Sequence, residues 1–264
     1  MAFWDSWFGK KRPGPGAAGK PAVAAAPQPP PTFPYPLVSV AGPQALAEWE
    51  RLRVTWRPEG ACPVLLGDRE EVDRARAALE GEETRPEGIL RAAATRTPEA
   101  FFEERLKEQQ ESLELDAEIE LKDGLIAPRG EWPASPSPHT LDAHADIVTG
   151  KPKATVYIAR IPTARPWEVF AYLGYGAWND CPAPEDHVAA HRRWHERHGA
   201  EVYAVAGDVV ECWVPRPPQD RDGAAALARE QYLYCADIVD QGTGTLLNLA
   251  GALKGAPAWF FWWD

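Results

Sequence analysis

The chain is poor in sulfur, with four cysteines and one methionine in 264 residues. Cys62, Cys181, Cys212 and Cys235 stand far apart and form no CxxC pair, which excludes a zinc ribbon and a secreted disulfide framework. No apolar run approaches the length of a membrane span. The opening MAFWDSWFGKKR places its cations after its apolar residues, the reverse of a secretory signal, so a cytoplasmic location is expected. Excess positive charge is lacking too. The net charge is −11, most of the acid falling in residues 37–121. A body of that sign repels phosphate backbones, so nucleic acid is not an expected partner. The Walker, Rossmann, HExxH and GxSxG patterns are all missing, and with them the commonest phosphate, dinucleotide and hydrolase machinery.

What is abundant is proline, with 27 residues, and tryptophan, with 12. Residues 1–36 form a Gly/Ala/Pro-rich extension, including Pro29-Pro30-Pro31, whose composition predicts disorder. At its start Phe3, Trp4, Trp7 and Phe8 can share one helical face ahead of Lys10, Lys11 and Arg12. Residues 3–12 could thus touch a membrane surface or a partner. An acidic α/β region follows over 37–121. In it, Cys62–Gly67 reads as a buried strand, Asp68 caps a helix, and Thr97-Pro98 opens another. From Leu113 to Leu121 apolar and acidic residues alternate strictly, which predicts a half-exposed strand with a solvated face. Residues 122–153 carry five prolines and little periodicity and read as a connecting segment over the surface. His139, Asp142, His144 and Asp146 within it have ligand chemistry but no regular spacing, so a flexible polar loop is expected.

The Trp-rich C-terminal domain, 154–264, is better specified. Proline starts and glycine stops bracket a helix over Pro184–His198, and Gly207-Asp208 marks a hairpin turn. The closing AWFFWWD predicts an inner strand, because aromatic side chains bury large areas. The element order β-α-α-β-β-α-α-β predicts an α+β fold. Its expected form is a mainly antiparallel four-stranded sheet with helices on one side, a split βαβ arrangement.

The segments IPTARPWEVFAYLGYGAWNDCPAPEDH, HRRWHERHGAEVYAVAGDVVEC, AREQYLYCADIVDQGTGT and FFWWD resemble the bacterial family called domain of unknown function 4253, over roughly residues 155–264. That family is functionally uncharacterised, so the resemblance implies no catalytic residue. Members of that family often carry tyrosines where this chain has His195 and His198, a departure that tells against a site needing all four helix histidines.

The residues themselves offer two chemistries. His187, His191, His195 and His198 fall on one stripe of a helix at ~100° per residue, beside Trp194 and opposite the arginines. A pair spaced by four, His187 and His191, can hold a divalent metal such as zinc if a carboxylate joins it; Asp180, Asp237 and Asp240 are the possible third ligands. The bland alternative is imidazoles that hydrogen-bond neighbours and stack on tryptophans. The loop Gly174–Asp180 sets Trp178, Asn179 and Asp180 beside tight-turn glycines, and either turn formation or ligand recognition explains it. Thr243 and Thr245 precede a helix N-terminus that could hold an anion, but capping by one or the other explains the sequence more simply.

The function expected from these residues is a non-enzymatic binding module with no cofactor. It would engage a protein or small molecule through Trp178, Asn179, Asp180, His187, His191, Trp194, Asp237 and Asp240. An immunity-like protein that neutralises a basic partner would suit the charge. The alternative is a metal-assisted hydrolase on the His187/His191 face.

Overall fold

A computed structural model of the chain describes residues 30–81, 84–114, 127–146 and 148–264. The N-terminal aromatic segment lies outside the described residues. So does the alternating segment beyond residue 114, although its first two positions continue the preceding helix.

The fold is α+β, built on one six-stranded mixed sheet. Its strands are β1 (Leu37–Val40), β2 (Cys62–Gly67), β3 (Val156–Ile161), β4 (Glu201–Ala206), β5 (Val209–Trp213) and β6 (Ala258–Trp262), in spatial order β1-β3-β2-β4-β5-β6. Every neighbouring pair is antiparallel except β2 and β4, which run parallel with Leu65 opposite Ala204. The expected four-stranded antiparallel sheet is therefore corrected. The acidic region contributes two strands, and β2 enters between β3 and β4. The reason is burial. All six residues of CPVLLG are buried, and a strand apolar on both faces must be central. Pro63 is tolerated there because its carbonyl accepts the Trp49 indole N–H at 3.0 Å and the registered pairing with β4 begins beyond it.

Helices lie on both faces, not one. α1 (Ala45–Trp56) packs Ala45, Trp49 and Leu52 against Leu65, Val156, Ile158 and Tyr203. The opposite face carries α2 (Arg69–Ala78), α3 (Pro86–Thr95), α4 (Pro98–Glu114), α5 (Val169–Leu173), α6 (Pro184–His198), α7 (Arg221–Tyr234) and α8 (Leu246–Leu253). Their core meets Val64, Leu66, Ala159, Val202, Cys212, Trp259 and Phe261. A bulge between Val202 and Ala204 turns Tyr203 and Ala204 to the α1 side together.

The acidic region and the Trp-rich region thus share one sheet and one core. Phe33 and Tyr35, inside the extension expected to be disordered, also pack on that core, and the Tyr35 hydroxyl donates to the Tyr172 carbonyl at 3.1 Å. The closing strand is not inner but outermost. Trp259 and Phe261 are nevertheless buried, because α6 and α7 cover that face of the edge.

Candidate functional site

α6 begins with Pro184 and ends at Gly199, whose φ of +68° closes the helix in the left-handed conformation. Its histidine stripe faces the sheet, as the spacing predicts. His187 is 0% and His191 2% exposed. His187 stacks on Phe170 at 4.7 Å, and His191 lies 5.1 Å from the Trp194 ring. All four ring nitrogens of this pair have partners. His187 Nδ1 lies 2.5 Å and His191 Nε2 2.9 Å from the Tyr234 hydroxyl, while the other two nitrogens meet the thiols of Cys181 and Cys212 at 3.4 and 3.7 Å. A single consistent sense of donation satisfies the whole row. Run in either sense, from Cys181 through His187, Tyr234 and His191 to Cys212 or back again, each neutral imidazole gives one hydrogen and accepts one. Burial supports the same protonation. It pushes His187 well down, with the nearby His191 adding to it, and takes His191 to about 3; the thiols of Cys181 and Cys212 are pushed up.

The remaining expected site residues are dispersed. Trp194 is fully buried, its indole N–H donating to Glu230 at 3.0 Å. Asp180 is exposed. Asp237 accepts the Asp264 backbone N–H at 3.0 Å, and Asn179 donates to the Asp264 backbone oxygen at 2.6 Å, so both are engaged in holding the Asp264 backbone. Asp240 accepts from the Tyr232 hydroxyl at 3.4 Å. No carboxylate joins the His187/His191 pair: among the described residues the three-ligand group is His139, Asp142 and Glu211. His195 and His198 each donate Nδ1–H to a carbonyl, of Ala200 and Arg216 respectively. Thr245 caps α8, accepting from the Asn248 N–H at 3.2 Å.

Trp178 is different. It is partly exposed, and with Tyr175 it borders a cavity of about 310 Å³ whose floor is Leu66, Leu173 and Val205. The loop reaches this place through Gly176, whose φ is +122°. A Cβ there would lie 2.0 Å from the Pro182 carbonyl oxygen and 2.9 Å from the His187 ring, so glycine is required. Across the cavity stand α2 and the Gly207-Asp208 turn. The location follows from topology. β2 leads to α2 and on to β3 on one side, whereas β4 leads to β5 on the other, and ligands of α/β sheets gather beyond strand ends where the connections diverge. A second cavity of about 300 Å³ shares Glu71, Arg74 and Asp208 with the first and is lined further by Asp68, Asp142, Asp146 and Lys153. One lobe is apolar and aromatic, the other acidic.

The acidic lobe rests on the segment expected to be a flexible polar loop. That expectation fails because the sheet holds a carboxylate there. Glu211, on the α1 side of β5, is 0% exposed; His139 Nε2 lies 2.6 Å from it, and the backbone N–H groups of Asp142 and Ala143 donate to it at 2.9–3.2 Å. Burial alone would raise its pKa. The His139 hydrogen bond and charge, with those amides, outweigh this and hold it below the usual carboxylate value. His144 extends the arrangement to the Tyr203 hydroxyl at 3.2 Å. A signal existed in VVECW, where glutamate takes a position between two residues of a buried strand.

Residues 157–264 match the family model described as Domain of unknown function (DUF4253). No curated protein and no solved structure matches the chain. In this chain the matched stretch does not make a continuous sheet by itself, since β2, from the preceding region, separates β3 from β4.

Proposed function

We propose, taking that family match over the C-terminal stretch as the starting point, that this chain is a non-enzymatic binding module. Its ligand seats in the two-lobed crevice beside Trp178. One observation carries the reading: the partly exposed Trp178 borders an open apolar cavity, while His187, His191, Cys181 and Cys212, which could do chemistry, are buried and engaged with one another. Ligand seats are concave and mainly apolar, with a few placed polar groups, and this crevice fits that description. Asn179 and Asp180 border the neighbouring groove of about 590 Å³ and leave room for a larger partner alongside. A net charge of −11 supports a basic one, as an immunity-like role would need. The setting we propose is the bacterial cytoplasm, where four buried free thiols stay reduced. Among the described residues no helix is long and apolar enough to cross a membrane.

The hydrolase alternative gains no support from the geometry. A metal on His187 and His191 would have to displace the Tyr234 hydroxyl that lies between them inside a packed core, and among the described residues no carboxylate completes the set.

A fragment library screened by thermal shift on the full chain tests the reading. Trp178→Ala removes a partly exposed ring and should melt within a few degrees of the parent. Fragments that stabilise the parent but not the variant are the expected result. Hits that stabilise both equally, or no hits, would count against the crevice.

A further inference from the structure

The two lobes differ in chemistry and meet at a sill formed by Glu71, Arg74 and Asp208. Glu71 is occupied. Its carboxylate accepts from Lys153 Nζ at 2.5 Å and from the Asp68 backbone N–H at 2.6 Å, closing the capping box of α2. Asp208 is half occupied: Oδ2 accepts the Trp262 indole N–H at 3.0 Å, which leaves Oδ1 available. Arg74 is exposed, and its guanidinium lies beside Gly207, about 3.8–3.9 Å from where a Cβ would stand. Among the described residues it makes no ion pair or hydrogen bond. A fork of donors and a carboxylate oxygen therefore flank one opening without being paired to each other. Beyond them the apolar lobe offers Leu66, Leu173, Tyr175 and Trp178, and the Tyr175 hydroxyl is buried without a hydrogen-bond partner. The acidic lobe adds Asp142 and Asp146 on the other side.

We propose that this crevice binds a free α-amino acid with an apolar side chain, an inference that rests on the binding-module reading above. Arg74 takes the carboxylate, because a guanidinium fork matches a carboxylate bidentately. Asp208 Oδ1 takes the ammonium, which the acidic lobe also attracts. The side chain enters the apolar lobe against Trp178. Carboxylate, ammonium and apolar body are thus met in the order in which one small zwitterion carries them. A simple carboxylate would leave the Asp208 oxygen facing it unpaired and repulsive, and a simple amine would leave Arg74 unmatched.

Titration calorimetry on the full chain with L-phenylalanine, 3-phenylpropionate and phenethylamine decides the matter, with the Trp178 indole signal in NMR reporting the location. Binding of L-phenylalanine tighter than either analogue is expected, weakened roughly ten- to hundredfold by Arg74→Met, the loss of one charge-assisted contact. Arg74 has no partner to lose among the described residues, so that variant should fold; Asp208→Asn, which keeps an acceptor for Trp262, should also weaken L-phenylalanine while sparing 3-phenylpropionate. Equal binding of L-phenylalanine and 3-phenylpropionate, or indifference to Arg74→Met, would overturn the assignment. If none of the three probes binds while Trp178-dependent fragments still do, the amino-acid assignment fails and the binding-module reading survives. If the fragments fail as well, both fall.

Discussion

Shifting the pH from 7.5 to 5.5 is expected to lower the unfolding free energy by about 3 kcal/mol through His187 and His191 alone. Both rings are buried and neutral in the folded chain, their pKa values held far below 6.5 by burial. In the unfolded chain they titrate near the ordinary value. Between pH 6.5 and the folded values the unfolded state therefore binds more protons, and stability must fall as pH falls. Each ring contributes up to ~1.4 kcal/mol per pH unit in that window. His144 and His198, half-buried and lowered mainly by burial, act in the same direction. Glu211 acts elsewhere. Its pKa is depressed, so its contribution is present above the unfolded carboxylate value and is lost only as pH drops through its folded one. The two effects are separable by pH. Urea unfolding at intervals of half a pH unit measures the slope, and His191→Leu, an apolar replacement in the same packed surroundings, should remove about half of it. A flat profile between pH 7.5 and 5.5 would mean that the imidazoles are solvated.

Replacing His139 by alanine should cost about 3 kcal/mol or more, because it strands a charge in the interior. Glu211 is fully buried, and the loss of His139 leaves its carboxylate with the two backbone amides alone. The same change frees the segment that lines the acidic lobe, since the His139 ring, besides holding Glu211, packs against Phe260 at 5.0 Å with the planes tilted. Amide exchange at Asp142 and Ala143 should then accelerate together. A companion variant identifies the cause: adding Glu211→Gln to His139→Ala removes the stranded charge while keeping an acceptor for both amides, and should recover part of the loss. A cost under about 1 kcal/mol for His139→Ala, with unchanged exchange at both amides, would show that the pair holds nothing in place.

Local signals were legible in the sequence wherever one stretch of chain carries its own stop and start. Pro184 and Gly199 bracket α6 at the residues expected, and Gly207-Asp208 turns the β4–β5 hairpin. Of the two threonines read as possible caps, Thr245 is the one that caps its helix. The inward direction of the histidine stripe was legible too, because helical periodicity alone sets it. Long-range pairing was not. Nothing in CPVLLG says that it will slide between two strands nearly a hundred and more residues later, and that insertion both enlarged the sheet and created the diverging strand ends where the crevice lies. The site split along the same line. Trp178 could be singled out, since aromatic residues among turn glycines stand out in any sequence. Arg74 could not, being one charged residue among many on an exposed helix and made distinctive only by its place opposite the Gly207-Asp208 turn. His139 was misread for the converse reason: a proline-rich segment without periodicity resembles a loose loop until the carboxylate that anchors it is found on a strand 72 residues away.

Imidazole nitrogen shifts of labelled histidine, followed by NMR as the folded full chain is taken from pH 7.5 to 5.5, bear most directly on the sealed core and open crevice described above. His187 and His191 should each show one protonated and one bare nitrogen throughout, unmoved by pH and by added zinc. A midpoint near 6.5 for either ring, or a zinc-induced shift at both, would place them in solvent and return the functional site to the histidine helix.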